Sequence, residues 1–431
     1  MNGAVLGGGA CPVRAGRGGG CAIIAASRGR VAGLVREVML LRGYLRSADN
    51  PARDDGRVER MVMAKSAVRV GLDLEQSSIA AAQIKSSRTT QVLTAAAVRD
   101  IPDGLVFEGE VTDVDGLASE LKSFWKQGRF AGRRVRLGVA NQKIVVRTLE
   151  FPQIDEKELH AAVEFQAQEA IPIPVDEAIL DYQVLSTVAG EGGVLRQKIL
   201  LVAAQKDMIG QFMAVASKAG LIIEGIDLQA FALARALTSQ VSFIDEGAPA
   251  ERADSTALVN IGTGITNLVV SVNGLPQFTR VINLGCDALV QALVNHRGIK
   301  PPEAEVLRTT VGLTGEAPEG LIGDLEPDSI SEIHQVLDAT CETFSDEIRR
   351  SIDYYHTQEH QGQITKILIT GDGSLTRNID EYLTQALHLP VEVGNPLVAI
   401  GENKSGLSPV ELEAVAPRLA IAVGLALEDE E

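Results

Sequence analysis

Gly262, Thr263 and Gly264 make a turn with almost no side-chain bulk, and Ser77 and Ser78 bring two hydroxyls to another turn far earlier in the chain. Turns of this kind let backbone N–H groups approach a phosphate closely, because little side chain intervenes. A third turn, Gly371-Asp372-Gly373-Ser374, follows the apolar run Ile367 to Thr370 and precedes a helical pattern. The N-terminus of that helix would favour an anion or the polar edge of a nucleotide. Each turn alone is common in tight loops. Two of them, however, sit in the same setting: VGLDLEQSSIAAAQI from Val70 and ALVNIGTGITNLVVSV from Ala257 both read as strand, polar residue (Asp73 or Asn260), turn, second apolar strand. That is one hairpin used twice, and two facing hairpins make a cleft.

The elements that must hold these turns can be read coarsely. Val68 to Ile84 and Thr90 to Val98 are expected as strands, Asp115 to Gly128 as a helix and Val135 to Val139 as a further strand. From Ile144 to Asp227 the pattern becomes strand, helix (Glu156 to Glu169), strand, strand, helix (Asp207 to Ala219, stopped by Gly220), strand. This βαββαβ unit is compact enough to be a subdomain of its own. Later helices are expected over Cys286 to Arg297, Ile330 to His356 and Val410 to Leu427. Gly220, Gly274 and Gly285 read as plain turn glycines.

The order of two phosphate hairpins and a glycine-rich adenosine turn resembles the actin, heat-shock chaperone and sugar-kinase superfamily. IPDGLVFEGEVTD from Ile101, the segment Val145 to Leu185, FTRVINLGCDAL from Phe278, EAEVLR from Glu303, EIRRSIDYY from Glu347 and VEVGNPL from Val391 narrow the resemblance to PilM, the actin-like assembly protein of type IV pilus machines. It covers roughly Ser66 to Leu427, and its most specific part is Phe151 to Leu185. The fold implied is α/β, an actin-like, ribonuclease H-like two-lobed ATPase fold with an inserted 1C-type βαββαβ subdomain. Its parts would be a first lobe (66–143), the insert (144–227), a return and linker (228–254), a second lobe (255–400) and a C-terminal helix on the first lobe (408–427).

The resemblance further implies ATP and Mg²⁺ as ligands. It assigns Asp73, Gln76, Ser77, Ser78, Asn260, Gly262, Thr263, Gly264, Thr266, Glu305, Arg308, Gly371, Asp372, Gly373 and Ser374 to the nucleotide, with Asp73 holding Mg²⁺ through water. Read without it, Asp73 is equally a strand-end carboxylate bonding local backbone, and Glu305 with Arg308 a surface i,i+3 pair worth about 0.2–0.5 kcal/mol. The implied partner is the cytoplasmic N-terminal tail of a PilN-like membrane protein, with pilus motor ATPases and the platform protein beside it. The location implied is cytoplasmic, at the inner face of the membrane through that partner. Nucleic acid and direct membrane insertion are not implied.

Departures from the family pattern bear on chemistry. The first hairpin of PilM-like proteins reads close to GIDIGSSSVK, whereas here Glu75 replaces a Gly, Gln76 a Ser and Ala80 the Lys. A carboxylate at Glu75 would repel a γ-phosphate unless it turns outward or meets Mg²⁺. Asn260 stands where Asp is common, Asp372 interrupts a run of Gly, and Arg308 replaces a Lys. Hydrolysis needs a positioned water and charge stabilisation, while binding needs only donors and a slot for the base, so binding is expected to survive more readily than turnover. Three functions stay open: a nucleotide-responsive scaffold, a pseudo-ATPase adaptor without nucleotide, and an active ATPase, sugar kinase or FtsA-like division protein.

Composition sets bounds. A chain of 431 residues with 45% hydrophobic content exceeds one ordinary domain, and a net charge of −17 argues against nucleic acid as main partner. Residues 1–60 hold ten basic against five acidic side chains, so they carry +5 and the remainder −22. This Gly/Arg-rich leader (1–62) is expected to be a mis-assigned start or disordered, the alternative being a basic tail touching anionic lipid. Cys286 and Cys341 have no CxxC partner and are expected as buried thiols. His356 and His360, four apart, are expected at a solvated helix end and not in a metal site.

Overall fold

The computed structural model describes residues 68–87, 90–189, 195–240, 255–272, 274–315, 325–358 and 362–427; the leader and His360 lie outside them. β1 (Val68–Leu74) and β2 (Ser78–Ser86) are largely apolar and buried nearly throughout, as central strands must be. They pair antiparallel with Asp73 opposite Ala80, and β3 (Gln91–Asp100) continues antiparallel from β2. A small hairpin follows, β4 (Val106–Phe107) with β5 (Glu110–Val111). Helix α1 (Val114–Gln127) starts where the Asp113 carboxylate accepts the backbone N–H of Asp115 and Gly116, satisfying two donors the helix itself cannot. β6 (Arg134–Val139) then joins β1 in parallel.

The inserted segment forms a second, separate sheet. β7 (Val145–Pro152), β8 (Ala178–Ala189) and β9 (Leu195–Gln205) pair antiparallel in the order β7-β9-β8. Helix α2 (Glu156–Ala170) brings Leu159, Val163 and Ala167 onto Leu149, Ile199 and Leu201, giving this unit a core of its own. The expected order of elements is present, but the independent unit is smaller than 144–227. Helix α3 (Lys206–Ala219), ended by Gly220 in the left-handed region, packs on α1, and β10 (Ile222–Leu228) runs parallel to β6 in the first lobe's sheet. Periodicity gives a strand's type and not its partner, so the return into the first lobe, expected only from 228, begins earlier, at α3 and β10.

Helix α4 (Gln229–Leu237) carries the chain across to the second lobe. There β11 (Ser255–Ile261), β12 (Thr266–Val272) and β13 (Leu275–Ile282) pair antiparallel in succession. Helices α5 (Asp287–Arg297), α6 (Pro301–Thr310) and the long α7 (Pro327–His356) follow. α7 turns Ile333, Leu337, Cys341, Phe344, Ile348 and Ile352 inward at helical spacing. β14 (Ile364–Thr370) lies parallel to β11, helix α8 (Ile379–Leu387) comes next, and β15 (Val391–Val393) is parallel to β14. The strand orders β3-β2-β1-β6-β10 and β13-β12-β11-β14-β15 are therefore one arrangement built twice, the actin-like, ribonuclease H-like two-lobed fold. β16 (Glu402–Asn403) extends the first sheet beside β3.

The C-terminal stretch returns to the first lobe as two short helices, α9 (Pro409–Val415) and α10 (Ala420–Ala426), separated by a 3-10 turn at Pro417, and not as one helix. α10 crosses α4 so closely that a β-carbon on Gly424 would lie 1.8 Å from the Ala232 carbonyl oxygen. Beside that crossing, Arg235 ion-pairs with Asp227 and donates through Nε to the Gly424 carbonyl at 3.0 Å. Cys286 and Cys341 are free, buried thiols, and burial pushes Cys341 up to about 12. Among the described residues no helix is long and apolar enough to cross a membrane, and no cluster of His, Cys, Asp and Glu could hold a metal ion.

Candidate functional site

The two duplicated hairpins face each other, and their turns touch. In the first, the Glu75 N–H donates to the Ser78 carbonyl at 2.9 Å, which closes a tight turn between β1 and β2. In the second, Gly262 N–H donates to the Ile265 carbonyl at 2.9 Å. The Ser77 hydroxyl donates to the Thr263 hydroxyl at 2.8 Å, joining residues that lie 186 positions apart. The Gln76 side chain lies over Gly264, where a β-carbon would come 2.1 Å from its Oε1. The second turn is held from behind as Cys286 and Asp287 N–H groups donate to the Gly262 and Thr263 carbonyls at 2.9 and 3.0 Å. Thr266 secures the same loop by donating to the Leu284 carbonyl at 2.7 Å. Gly285 belongs to this support, because a β-carbon there would lie 1.9 Å from the Thr263 carbonyl oxygen.

Asp73 is buried at the end of β1, 1% exposed, and accepts a bond from Gln229 Nε2 at 2.7 Å. Gln229 Oε1 in turn accepts from Asn267 Nδ2 at 2.8 Å, so a chain of three side chains runs from the first lobe through α4 into the second. Burial, followed by the neighbouring Glu75 carboxylate, pushes Asp73 well above the usual carboxylate range. Such a group gains from a cation or a proton. Nothing in the sequence marks Gln229, which is one polar residue opening the apolar run QAFALARAL.

Glu75 faces inward. Its Oε2 accepts from the Thr263 N–H at 3.4 Å and its Oε1 lies 3.5 Å from Asn260 Nδ2, so the carboxylate rests on the second turn. Burial, and then the charge of Asp372, raises its pKa. Asn260 completes the contact by accepting from Thr370 Oγ1 at 3.1 Å.

The third turn meets the first two from the side. Gly371 has φ of +84°, and a β-carbon would lie 2.4 Å from the Ile261 carbonyl oxygen, so only glycine fits this approach of β14's end to β11. Asp372 to Leu375 form a 3-10 turn in which the Ser374 hydroxyl donates to the Gly371 carbonyl at 2.7 Å, and Gly373 packs on Ile261. The turn does not run straight into a helix N-terminus as expected, since α8 begins only at Ile379 after Asn378 in the left-handed region. The N–H groups of α8 therefore do not line this turn.

Glu305 and Arg308 meet the same turn from α6. The Arg308 side chain is fully buried, pairs with Glu305, and donates to the Asp372 carbonyl at 3.1 Å and to Thr376 Oγ1 at 2.6 Å. This is a structural clamp on the turn and not the exposed surface pair that the bare spacing allows. Asp372 lies between two cations, 3.3 Å from Arg418 Nε and 3.8 Å from Arg308. Arg418, which also pairs with Asp100, carries the first lobe's C-terminal segment to this turn. No sequence signal marked it.

The structure thus brings nearly the whole expected set into one cleft: Asp73, Gln76, Ser77, Ser78, Asn260, Gly262, Thr263 and Gly264 around the touching turns, Glu305, Arg308 and 371–374 beside them. The donors are of the kind a phosphate chain uses, yet Glu75 and Gln76 fill the space between the turns. A small cavity between Glu75, Gln229 and Gly264, backed by Val106, Val139 and Phe212 of the first lobe, measures about 10 Å³, room for about one water.

Comparison with known proteins agrees with this architecture. A solved chain described as "PilM-PilN type IV pilus biogenesis complex" superposes with a TM-score of 0.69 at 23% identity, covering 84% of this chain and 99% of that one. Cell division protein FtsA of Neisseria meningitidis serogroup B is 24% identical over 321 residues, 68% of this chain and 71% of its own. FtsA of Borreliella burgdorferi is 19% identical over 316 residues, 67% of this chain and 70% of its own. The family model for type IV pilus assembly protein PilM matches residues 71–430, the hairpins, the inserted sheet and the C-terminal helices together, and the chain belongs to that family.

Proposed function

We propose that this protein is an actin-like, nucleotide-responsive adaptor of a type IV pilus assembly machine, which holds the cytoplasmic N-terminal tail of a PilN-like membrane protein. The observation that carries this reading is the inserted β7-β9-β8 sheet with its own core, set beside a duplicated hairpin cleft in a chain of the PilM family. A solved relative of the same architecture is described as a PilM–PilN complex. No catalytic account requires the inserted sheet, whereas an adaptor needs a surface apart from its nucleotide cleft.

ATP with Mg²⁺ is the proposed ligand. It would enter between the two turns as the lobes part, with the Thr263 N–H and the Ser77 and Thr263 hydroxyls toward the phosphates. Asp73 would hold Mg²⁺ through water, and 371–374 with Glu305 and Arg308 would lie toward the nucleoside. A ligand that binds only the parted lobes shifts the chain toward that state in proportion to its differential affinity, and so changes what the inserted sheet can grip. Turnover is expected to be weak or absent. A calorimetric titration of ATP with and without Mg²⁺ tests this: binding that Mg²⁺ strengthens supports it. Absence of binding leaves the pseudo-ATPase adaptor, a reading that the inward carboxylate of Glu75 favours.

A further inference from the structure

Glu75 is a first-lobe side chain whose carboxylate rests on a second-lobe turn. Its two oxygens lie 3.4 Å from the Thr263 N–H and 3.5 Å from Asn260 Nδ2. A β-carbon built on Gly262 would come within 3.0 and 3.1 Å of them, so the group sits directly over the glycine turn. A backbone N–H of the glycine turn and a side-chain amide from the strand that leads into it converge on this one oxyanion, and backbone N–H groups of such turns are donors with which proteins hold phosphate. Here the oxyanion belongs to the chain itself.

We infer that Glu75 is an internal anion that takes the place of a nucleotide phosphate on the second turn, latching the lobes together and setting which nucleotides the cleft accepts. The inference rests on the proposed nucleotide reading for its second half alone; the latch needs no ligand. Three features support it. The Ser77–Thr263 hydroxyl contact and the packing of Gln76 on Gly264 show that the lobes meet through the residues flanking Glu75. The contacts of the carboxylate are long and therefore weak, as suits a group to be displaced. The carboxylate already occupies the Thr263 N–H side of the second turn, so a phosphate chain entering beside an undisplaced Glu75 would meet a like charge on that turn. A nucleoside monophosphate, having the shortest phosphate chain, has the least need to displace the latch, whereas a triphosphate must.

The test uses the full chain, Glu75→Gln and Glu75→Gly. Without nucleotide, amide hydrogen exchange of the segment 260–265 is expected to quicken about tenfold or more in both variants, because a latch worth about 1.4 kcal/mol changes the opening equilibrium tenfold. Glu75→Gln keeps the side-chain volume, so quickened exchange in it, with an unchanged circular dichroism spectrum, separates loss of the latch from loss of folding. Calorimetry with pyrophosphate, ATP and AMP then reads selectivity: Glu75→Gly should tighten pyrophosphate and ATP by about tenfold or more and AMP by no more than about twofold. Unchanged exchange in both variants overturns the latch. Quickened exchange with equal effects on ATP and AMP overturns the selectivity. Quickened exchange in chains that bind no nucleotide at all establishes the latch and refutes the nucleotide reading instead.

Discussion

Gln229 Nε2 donates to the buried Asp73 carboxylate at 2.7 Å, and through Gln229 Oε1 the first lobe is tied to Asn267 in the second. Removing the amide leaves a buried carboxylate and a buried amide with one partner fewer. Gln229→Leu is therefore expected to lower stability by about 1–3 kcal/mol. Urea unfolding measures it, and a loss under about 0.5 kcal/mol, the scale of a neutral surface change, would mean that the chain of three side chains is not energetically coupled.

Asp73 itself predicts a pH dependence. Burial first, and Glu75 second, raise its folded pKa well above the ordinary carboxylate value. A raised folded pKa means that the native state holds the proton after the unfolded chain has released it. The stability this contributes is full below the unfolded value and is lost as pH rises through the folded one. Asp73→Asn keeps an acceptor for Gln229 but cannot ionise. Its stability relative to wild type should grow as pH rises from roughly 4 upward, measured by urea unfolding with EDTA present. Parallel curves would show that the carboxylate is not held in the protonated form.

Arg308 has its side chain fully buried between Glu305 and the turn at 371–376. Arg308→Ala leaves the Asp372 carbonyl and the Thr376 hydroxyl without this donor while Glu305 stays partly solvated, and a cost of about 1–3 kcal/mol is expected. Arg308→Lys has a single ammonium and cannot reach both Glu305 and the turn at once, as the guanidinium fork does, so it should recover only part of that loss. Thermal unfolding of both variants, with full recovery by Lys as the contrary result, checks the clamp.

Asp227 and Arg235 form a buried ion pair with side chains 2% and 4% exposed, beside the crossing of α4 and α10. Arg235→Met strands the carboxylate and should cost about 3–5 kcal/mol, while the double variant Asp227→Leu with Arg235→Met should recover much of it. A double variant as unstable as the single one would show that the pair does more than neutralise itself.

The duplicated hairpins were legible because Gly262 to Gly264 and Ser77 to Ser78 sit between apolar strands in the same pattern, and that local signal survives into the tertiary structure. Asp73, Asn260 and the turn at 371–374 were legible for the same reason. Gln229 and Arg418 were not, because each acts through contacts with residues distant in sequence and neither lies in a repeated pattern. The insert is shorter than its pattern of elements implies because β10 crosses back to pair with β6, a choice made by the sheet and not by the strand. Glu75 stands out in the sequence as a departure, but its inward direction depends on the Thr263 N–H, which only the facing lobe supplies.

The most direct test of the adaptor account is calorimetric capture of a synthetic peptide corresponding to the cytoplasmic N-terminus of a PilN-like protein. The intact chain should bind it, with an affinity that changes when ATP and Mg²⁺ are added. A chain in which residues 145–205 are replaced by a short linker, shown by circular dichroism to remain folded, should keep nucleotide binding and lose the peptide. An intact chain that ignores the peptide, yet turns over ATP at about 1 per second or faster, would contradict the account and make the protein an enzyme.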